Sequence, residues 1–265
     1  MRLASLSSGS SGNSIYVGSD STHILIDTGC SRKRIVEGLS KLDLSLEDID
    51  AIFVTHEHSD HIAGLHTILK KYDIPVYATK GTIAGIRCSD NKGEMLSSCF
   101  YEVRADEKVR LKDIVVNPMS IMHDANEPVA YRVSCGDKKM AVATDLGCFN
   151  DYTVECLKGM DSLLLEANHD VRMLQAGPYP YMLKRRILGE KGHLSNEKSG
   201  ELLCRILHDN LKAVMLGHLS KENNLPELAY ETVRLEIEMG DNPYHGNDFP
   251  IMVAKRNELS EVIEI

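Results

Sequence analysis

The sequence predicts an α+β fold in which two mixed β-sheets pack face to face and helices cover the outside. Three observations lead there. Strand-like segments precede helix-like segments twice along the 265 residues, the order expected of elements laid down in layers. The longest apolar runs, Ala51–Val54, Ser162–Leu165 and Ala213–Leu216, suit buried strands and fall well short of the ~18 residues that span a bilayer. No long linker, low-complexity tract or short repeat interrupts the chain, so residues 1–265 are read as one domain.

Taken in order, Leu3–Ser7, Ser14–Val17 and His23–Asp27 read as strands of an N-terminal meander around a Ser/Gly loop. Ser31–Leu42 has a helical pattern, Ala51–Val54 is a buried strand, and Asp60–Tyr72 is a helix ending ahead of Pro75. From Phe100 to Ala143 the pattern is all strand: Tyr101–Val103, Ile114–Asn117, Val129–Ser134 and Met140–Ala143, with a turn at Gly136-Asp137. Strand Ser162–Glu166, a helix over Pro180–Leu188, helix Ser195–His208 behind a capping serine, strand Ala213–Leu216 and helix Pro226–Met239 complete the chain.

Composition excludes several classes. With 43% hydrophobic and 26% charged residues the chain can bury a core, which rules out disorder and fibre. The segment Met1–Leu6 lacks the apolar stretch of a secretory signal, so a cytoplasmic protein is expected. Seven scattered cysteines with no CxxC pair argue against a disulfide framework or a thiolate metal site. A net charge of −9 excludes a global basic field for passive nucleic-acid binding, although bound cations can make one cleft locally positive.

The stretch Thr55-His56-Glu57-His58-Ser59-Asp60-His61 carries the chemistry. It reads HxHxDH where a strand gives way to a helix. Residues two apart on extended backbone point the same way, so His56 and His58 can share one ion while the turn redirects Asp60 and His61 to a second. Imidazole and carboxylate donors suit Zn²⁺, Mn²⁺ or Fe²⁺. Further ligands are expected just past strands: His123, Asp145 and His218. Two divalent ions at such a site would activate water and stabilise the oxygens of a phosphodiester undergoing hydrolysis. Asp60 can orient the nucleophile or accept its proton, and His193, ahead of a capped helix, can face a phosphate or protonate a leaving oxygen.

This order of motifs, from about Leu3 to His218, resembles the metallo-β-lactamase superfamily, whose fold is a four-layer αββα sandwich. The resemblance implies that His56, His58 and His123 hold one metal, that Asp60, His61 and His218 hold the other, and that Asp145 bridges them. Aspartate rather than cysteine at the bridging position favours phosphodiester chemistry over a β-lactamase. Ser8-Gly9-Ser10-Ser11-Gly12-Asn13-Ser14, Glu166-Ala167-Asn168-His169-Asp170, Gly192-His193-Leu194-Ser195-Asn196 and His218-Leu219-Ser220-Lys221-Glu222-Asn223-Asn224 resemble more closely the YycJ/WalJ-like branch of DNA exonucleases. That implies a two-metal phosphodiesterase acting on nucleic acid, with duplex DNA attacked from the 5′ end as the expected substrate.

Substrate contacts are expected from Ser10 and Asn13 in an anion-binding loop, from Lys221 and Asn223 after His218, and from His169, which could also support a ligand. Tyr179, Tyr181, Lys184, Arg185 and Arg186 interleave the aromatic and basic groups that grip bases and backbone. Alternatives remain open: a small-molecule phosphodiesterase or thioesterase on the same ions, and an iron-dependent redox enzyme.

Overall fold

The computed structural model describes residues 1–90 and 99–265. The strands are β1 (Arg2–Ser7), β2 (Ser14–Gly18), β3 (His23–Ile26), β4 (Ala51–Phe53), β5 (Val76–Thr79), β6 (Phe100–Val103), β7 (Val109–Leu111), β8 (Ile114–Ser120), β9 (Val129–Cys135), β10 (Lys138–Ala143), β11 (Ser162–Glu166), β12 (Ala213–Gly217), β13 (Ile251–Val253) and β14 (Ile263–Glu264). The helices are α1 (Arg32–Ser40), α2 (Ser59–Ile62), α3 (Leu65–Leu69), α4 (Lys80–Ser89), α5 (Asp151–Leu157), α6 (Val171–Ala176), α7 (Tyr181–Ile187), α8 (Asn196–Ile206) and α9 (Pro226–Met239).

Among the described residues the strands form two seven-stranded sheets, ordered β14-β1-β2-β3-β4-β5-β6 and β13-β12-β11-β10-β9-β8-β7. Each has an antiparallel half and a parallel half. In the first, β3, β4, β5 and β6 run parallel; in the second, β10, β11, β12 and β13 do. The parallel strands are buried on both faces, which is why β4, β11 and β12 read as unbroken apolar runs.

Three apolar clusters define the layers. Leu3, Ile15, Phe53, Tyr131, Val142 and Met215 meet between the sheets. Leu6, Leu25, Ile52 and Val76 of the first sheet pack under Ile35, Leu65 and Ile86 of its helices. Leu163, Leu165 and Leu216 of the second pack under Val154, Leu203 and Val233. The order is helix, sheet, sheet, helix, as expected for an αββα sandwich.

Several boundaries differ from the sequence reading. The helix expected over Asp60–Tyr72 breaks into α2 and α3, because the Gly64 N–H donates to Thr28 O at 2.7 Å instead of continuing the helix. A Cβ at Gly64 would lie 2.3 Å from Cys30 O, so the 28–30 loop can approach only a glycine there. Strand β8 runs through Pro118 to Ser120, past the predicted end at Asn117. Its partner β7 covers only Ile114–Val116, and beyond that open edge a residue without an N–H is tolerated. Strands β5, β7, β13 and β14 and helices α4, α5 and α6 escaped the sequence reading. The first four have two to four residues each, too short for a period to show. Caps at Thr79, Asn150 and Asp170 marked the three helices.

Candidate metal centre

The site is built where several strands end at one edge of the sandwich. Beyond β3, β10 and β12 stand Asp27, Asp145 and His218, each with left-handed backbone at φ 62°, 60° and 56°. A non-glycine residue held there costs about 1–3 kcal/mol and must be secured by its surroundings. These three turns aim their side chains into one cluster. The segment after β4 brings His56, His58, Asp60 and His61, and the loop after β8 brings His123.

The side chains converge as two overlapping sets. His56, His58 and His123 form one, with His56 Nε2 and His123 Nε2 at 3.0 and 3.3 Å from His58 Nδ1. Asp60, His61 and His218 form the other; Asp60 Oδ2 lies 3.5 Å from both His61 Nε2 and His218 Nε2. Asp145 stands between them, with Oδ1 at 3.7 Å from His123 Nε2 and Oδ2 at 3.3 Å from His61 Nε2.

The residues fit divalent ions on three counts. Donor atoms on a tetrahedral ion with bonds of ~2.0–2.1 Å sit ~3.3 Å apart, as the first set does. Asp145 Oδ2 and His218 Nε2 are buried without a hydrogen-bond partner, an arrangement that costs free energy unless something else satisfies them. Asp27, Asp60, Asp145 and Glu166 also crowd four carboxylates into a largely dry site, a charge that two divalent cations would balance. In the metal-free protein protons take that role. Despite burial, Asp145, Asp27 and Asp60 hold His61 far above its usual pKa, and Asp145, Asp60 and Glu166 hold His218 at about 10. Burial and neighbouring imidazoles push His56 down, leaving a neutral ring. Loading the site must therefore release protons.

Two acids behind the cluster set its orientation. Asp27 accepts from His61 Nδ1 at 2.7 Å and from Thr55 N and Oγ1 at 2.8 Å each. Fully buried Glu166, at the end of β11, takes His193 Nδ1 and His218 Nδ1 on one oxygen, both at 2.8 Å. Its other oxygen accepts Leu146 N at 2.9 Å and Leu194 N at 3.0 Å. Burial alone would raise the Glu166 pKa, but the two imidazoles hold it far below the usual carboxylate range. With Nδ1 fixed on a carboxylate, each ring presents Nε2 forward. The sequence reading did not single out Asp27 and quoted Glu166 only within a motif; the signal available was an acid at a strand end, as for Asp145.

A cavity of about 240 Å³ opens over the cluster, lined among others by Ser10, His58, Asp60, Asp145, His193 and His218. Tyr179 and Arg186 line it too, and Arg186 pairs with Asp124 beside His58 and His123. Helix α7 buries none of its residues, and Tyr181 and Met182 on it are about 70% exposed.

Three expected substrate contacts are placed otherwise. Asn13 is buried and works inward: its Oδ1 accepts Gly9 N at 2.8 Å and its amide reaches Asp60 O and Oδ2 at 3.3 and 3.4 Å, bracing a candidate ligand. Asn223 is buried beneath its own loop, its backbone N–H donating to Ser220 Oγ and its backbone carbonyl accepting the Asp170 N–H. His169 is buried with Nδ1 3.3 Å from Asn168 Oδ1; it supports none of the candidate ligands and lines a separate 620 Å³ cavity that shares only His193 with the first. In each case the short loop packs back on the strand ends and turns the polar group inward. Lys221 is exposed and lines a third cavity.

A helix-covered double sheet with histidines and acids gathered at one edge defines a metallohydrolase class of fold. Residues 22–218 match the family described as Beta-lactamase superfamily domain, and the chain belongs to that family. It is 38% identical over 260 residues to the exodeoxyribonuclease WalJ of Streptococcus pneumoniae, covering 98% of this chain and 96% of that one. It is also 38% identical over 244 residues to the exodeoxyribonuclease YycJ of Bacillus anthracis, covering 90% and 89%. Among solved structures, Zn²⁺-bound PqqB from Methylobacterium extorquens superposes with a TM-score of 0.73 at 19% identity over the full length of both. The short form of human tRNase Z gives 0.65 at 18% identity, covering 100% of this chain and 99% of that one. Among the described residues no helix is long and apolar enough to cross a membrane.

Proposed function

We propose that this protein is a metal-dependent exodeoxyribonuclease that hydrolyses phosphodiester bonds of DNA at the cluster under the 240 Å³ cavity. The observation that carries the reading is the pair of ligand sets joined by Asp145 at the floor of that cavity. Likeness to two exodeoxyribonucleases along nearly the whole chain supports DNA as the substrate class. His56, His58 and His123 would hold one ion, Asp60, His61 and His218 the second, and Asp145 would touch both. When bound, divalent ions supply Lewis-acid polarisation of a phosphoryl oxygen and a water of lowered pKa.

The chain's own groups do the rest. Asp60, steadied by Asn13, keeps a partly exposed carboxylate at the cavity floor, where it orients the attacking water and can take its proton. His193 lies across the cavity with Nδ1 anchored on Glu166, so that Nε2 can hand a proton to the departing oxygen. Tyr179, Arg186 and the exposed face of α7 offer aromatic and cationic contacts to the strand, a local exception to the net charge of −9. Duplex DNA degraded from the 5′ end, and Zn²⁺ or Mn²⁺ as the ions, are the finer parts of the proposal.

The test is hydrolysis of 5′-phosphorylated duplex DNA, single-stranded DNA, RNA and bis(4-nitrophenyl) phosphate by Zn²⁺- or Mn²⁺-loaded protein, with Asp145→Asn as the blank. Stepwise release of nucleotides from DNA, absent in the blank, is expected. Equal turnover in the blank would overturn the ligand assignment, and cleavage of the small diester alone would move the function to a small substrate.

A further inference from the structure

Arg256 lies just past β13, which runs parallel to β12, so the residues after both strands emerge at the edge that carries the site. Its half-buried guanidinium is wedged between the Ser8–Gly12 loop and the chain after His218. Nη2 donates to Leu219 O at 2.8 Å, while Nη1 is buried with no hydrogen-bond partner. A Cβ at Gly9 would stand 2.6 Å from Nη1 and 3.0 Å from Leu219 O, so a side chain there would push the guanidinium aside.

Among the described residues no carboxylate pairs with this guanidinium within 4.0 Å; the acid acting on it from a distance is Glu222. Burial lowers the pKa of Arg256, as expected of a cation without a counter-charge. Arg256 lines a 400 Å³ cavity together with Lys221, Lys255, Ser8 and Ser220. Among the described residues Lys221 and Lys255 pair with exposed acids, Glu222 at 4.0 Å and Glu258 at 3.4 Å, pairs that water screens and a stronger anion can displace. Ser220 also lines the cavity over the cluster, so the two cavities share a wall.

We propose that this 400 Å³ cavity is a phosphate subsite. It holds a phosphate of the nucleic-acid strand next to the phosphodiester lying over the cluster, with Arg256 as the central cation and Lys221 and Lys255 at the rim. The proposal rests on the phosphodiesterase reading and extends it by fixing how the strand is gripped. The same chemistry has two sources, a terminal 5′-phosphate or an internal backbone phosphate.

The experiment compares Mn²⁺-loaded wild type, Arg256→Gln and Arg256→Lys on an oligodeoxynucleotide with a 5′-phosphate, one with a 5′-hydroxyl, one with an uncharged methylphosphonate at the second linkage, and bis(4-nitrophenyl) phosphate. Arg256→Gln is expected to raise KM for the phosphorylated oligonucleotide roughly tenfold, with partial rescue by lysine and a salt slope shallower by about one. Its kcat/KM ratio of oligonucleotide to small diester should fall by the same factor. Loss of the difference between 5′-phosphate and 5′-hydroxyl ends in the variant identifies the terminal phosphate; loss of the methylphosphonate effect identifies the internal one. An oligonucleotide KM within about twofold of wild type, or an equal loss on the small diester, overturns the subsite. Should Arg256→Gln fail to fold by circular dichroism, the exposed pair Lys221→Gln and Lys255→Gln reads the same KM, and no change there overturns it as well. A wild type that cleaves the small diester but no DNA refutes the proposed function itself, a different result from an insensitive Arg256 variant.

Discussion

Replacing Glu166 by glutamine tests whether the cluster is held from behind. The carboxylate takes two imidazole N–H groups on one oxygen and two backbone N–H groups on the other, at 2.8 to 3.0 Å. An amide has a single acceptor oxygen, so whichever way it lies, two of the four donors face its NH₂. Hydrogen bonds to a charged group contribute about 1.5–3 kcal/mol each, so the unrelaxed loss is about 3–6 kcal/mol. The ring of His218 can escape by moving its proton from Nδ1 to Nε2, but Nε2 is the atom turned towards Asp60 and the second ligand set. Part of the loss then appears as metal affinity weakened about 10–100-fold. Chelator competition for Zn²⁺ or Mn²⁺, alongside urea unfolding of the metal-free protein, measures the two shares. Metal affinity and stability both close to wild type would refute the idea that Glu166 orients His218 and His193.

Other consequences are equally specific. In Gly29→Ala the new Cβ would fall 1.6 Å from Asp60 O, so denaturant unfolding should show a loss at or above the ~1–3 kcal/mol usual for overpacking, together with weaker metal binding. His193→Ala should lower kcat by roughly 10²–10⁴-fold while changing KM less; loss in KM alone would make it a binding residue. Burial pushes the His169 imidazole down to about 4. The unfolded chain therefore takes up that proton first as pH falls, so the contribution is complete above about pH 6.5 and drains away towards pH 4, amounting to roughly 3 kcal/mol. Urea midpoints of metal-free wild type should fall faster over that window than those of His169→Gln, and parallel curves would refute the assignment.

The left-handed backbone at Asp27, Asp145 and His218 explains how one edge gathers residues from distant parts of the chain. Each strand ends in the sandwich core, and the turn that follows points one side chain inward before the chain leaves. Hydrogen bonds to neighbouring segments secure two of these turns: the Asp27 N–H donates to Phe53 O at the end of β4 at 2.8 Å, and the His218 N–H to Ser8 Oγ at 2.7 Å. The Ser8–Ser14 loop is therefore part of the scaffold behind the site, with only Ser10 facing the cavity over the cluster.

The amino-acid sequence alone determined the layered fold and the chemistry of the edge. Buried parallel strands leave unbroken apolar runs such as β11 and β12, a capping serine at α8 and a first-turn proline at α9 announce those helices, and HxHxDH after a strand concentrates ligand types in one local turn. These signals lie within a few neighbouring residues, where period and spacing can carry them. Only the tertiary structure decided which polar groups face outward. Asn13, Asn223 and His169 sit in loops that fold back onto strand ends, so groups written like surface contacts are buried, and Asn13 braces Asp60 from within. Asp27 and Glu166 act through His61, His193 and His218, far from them in sequence, and Arg256 meets the Ser8–Gly12 loop more than two hundred residues away. No local pattern encodes such pairings, because they arise when separate strands of the two sheets end side by side.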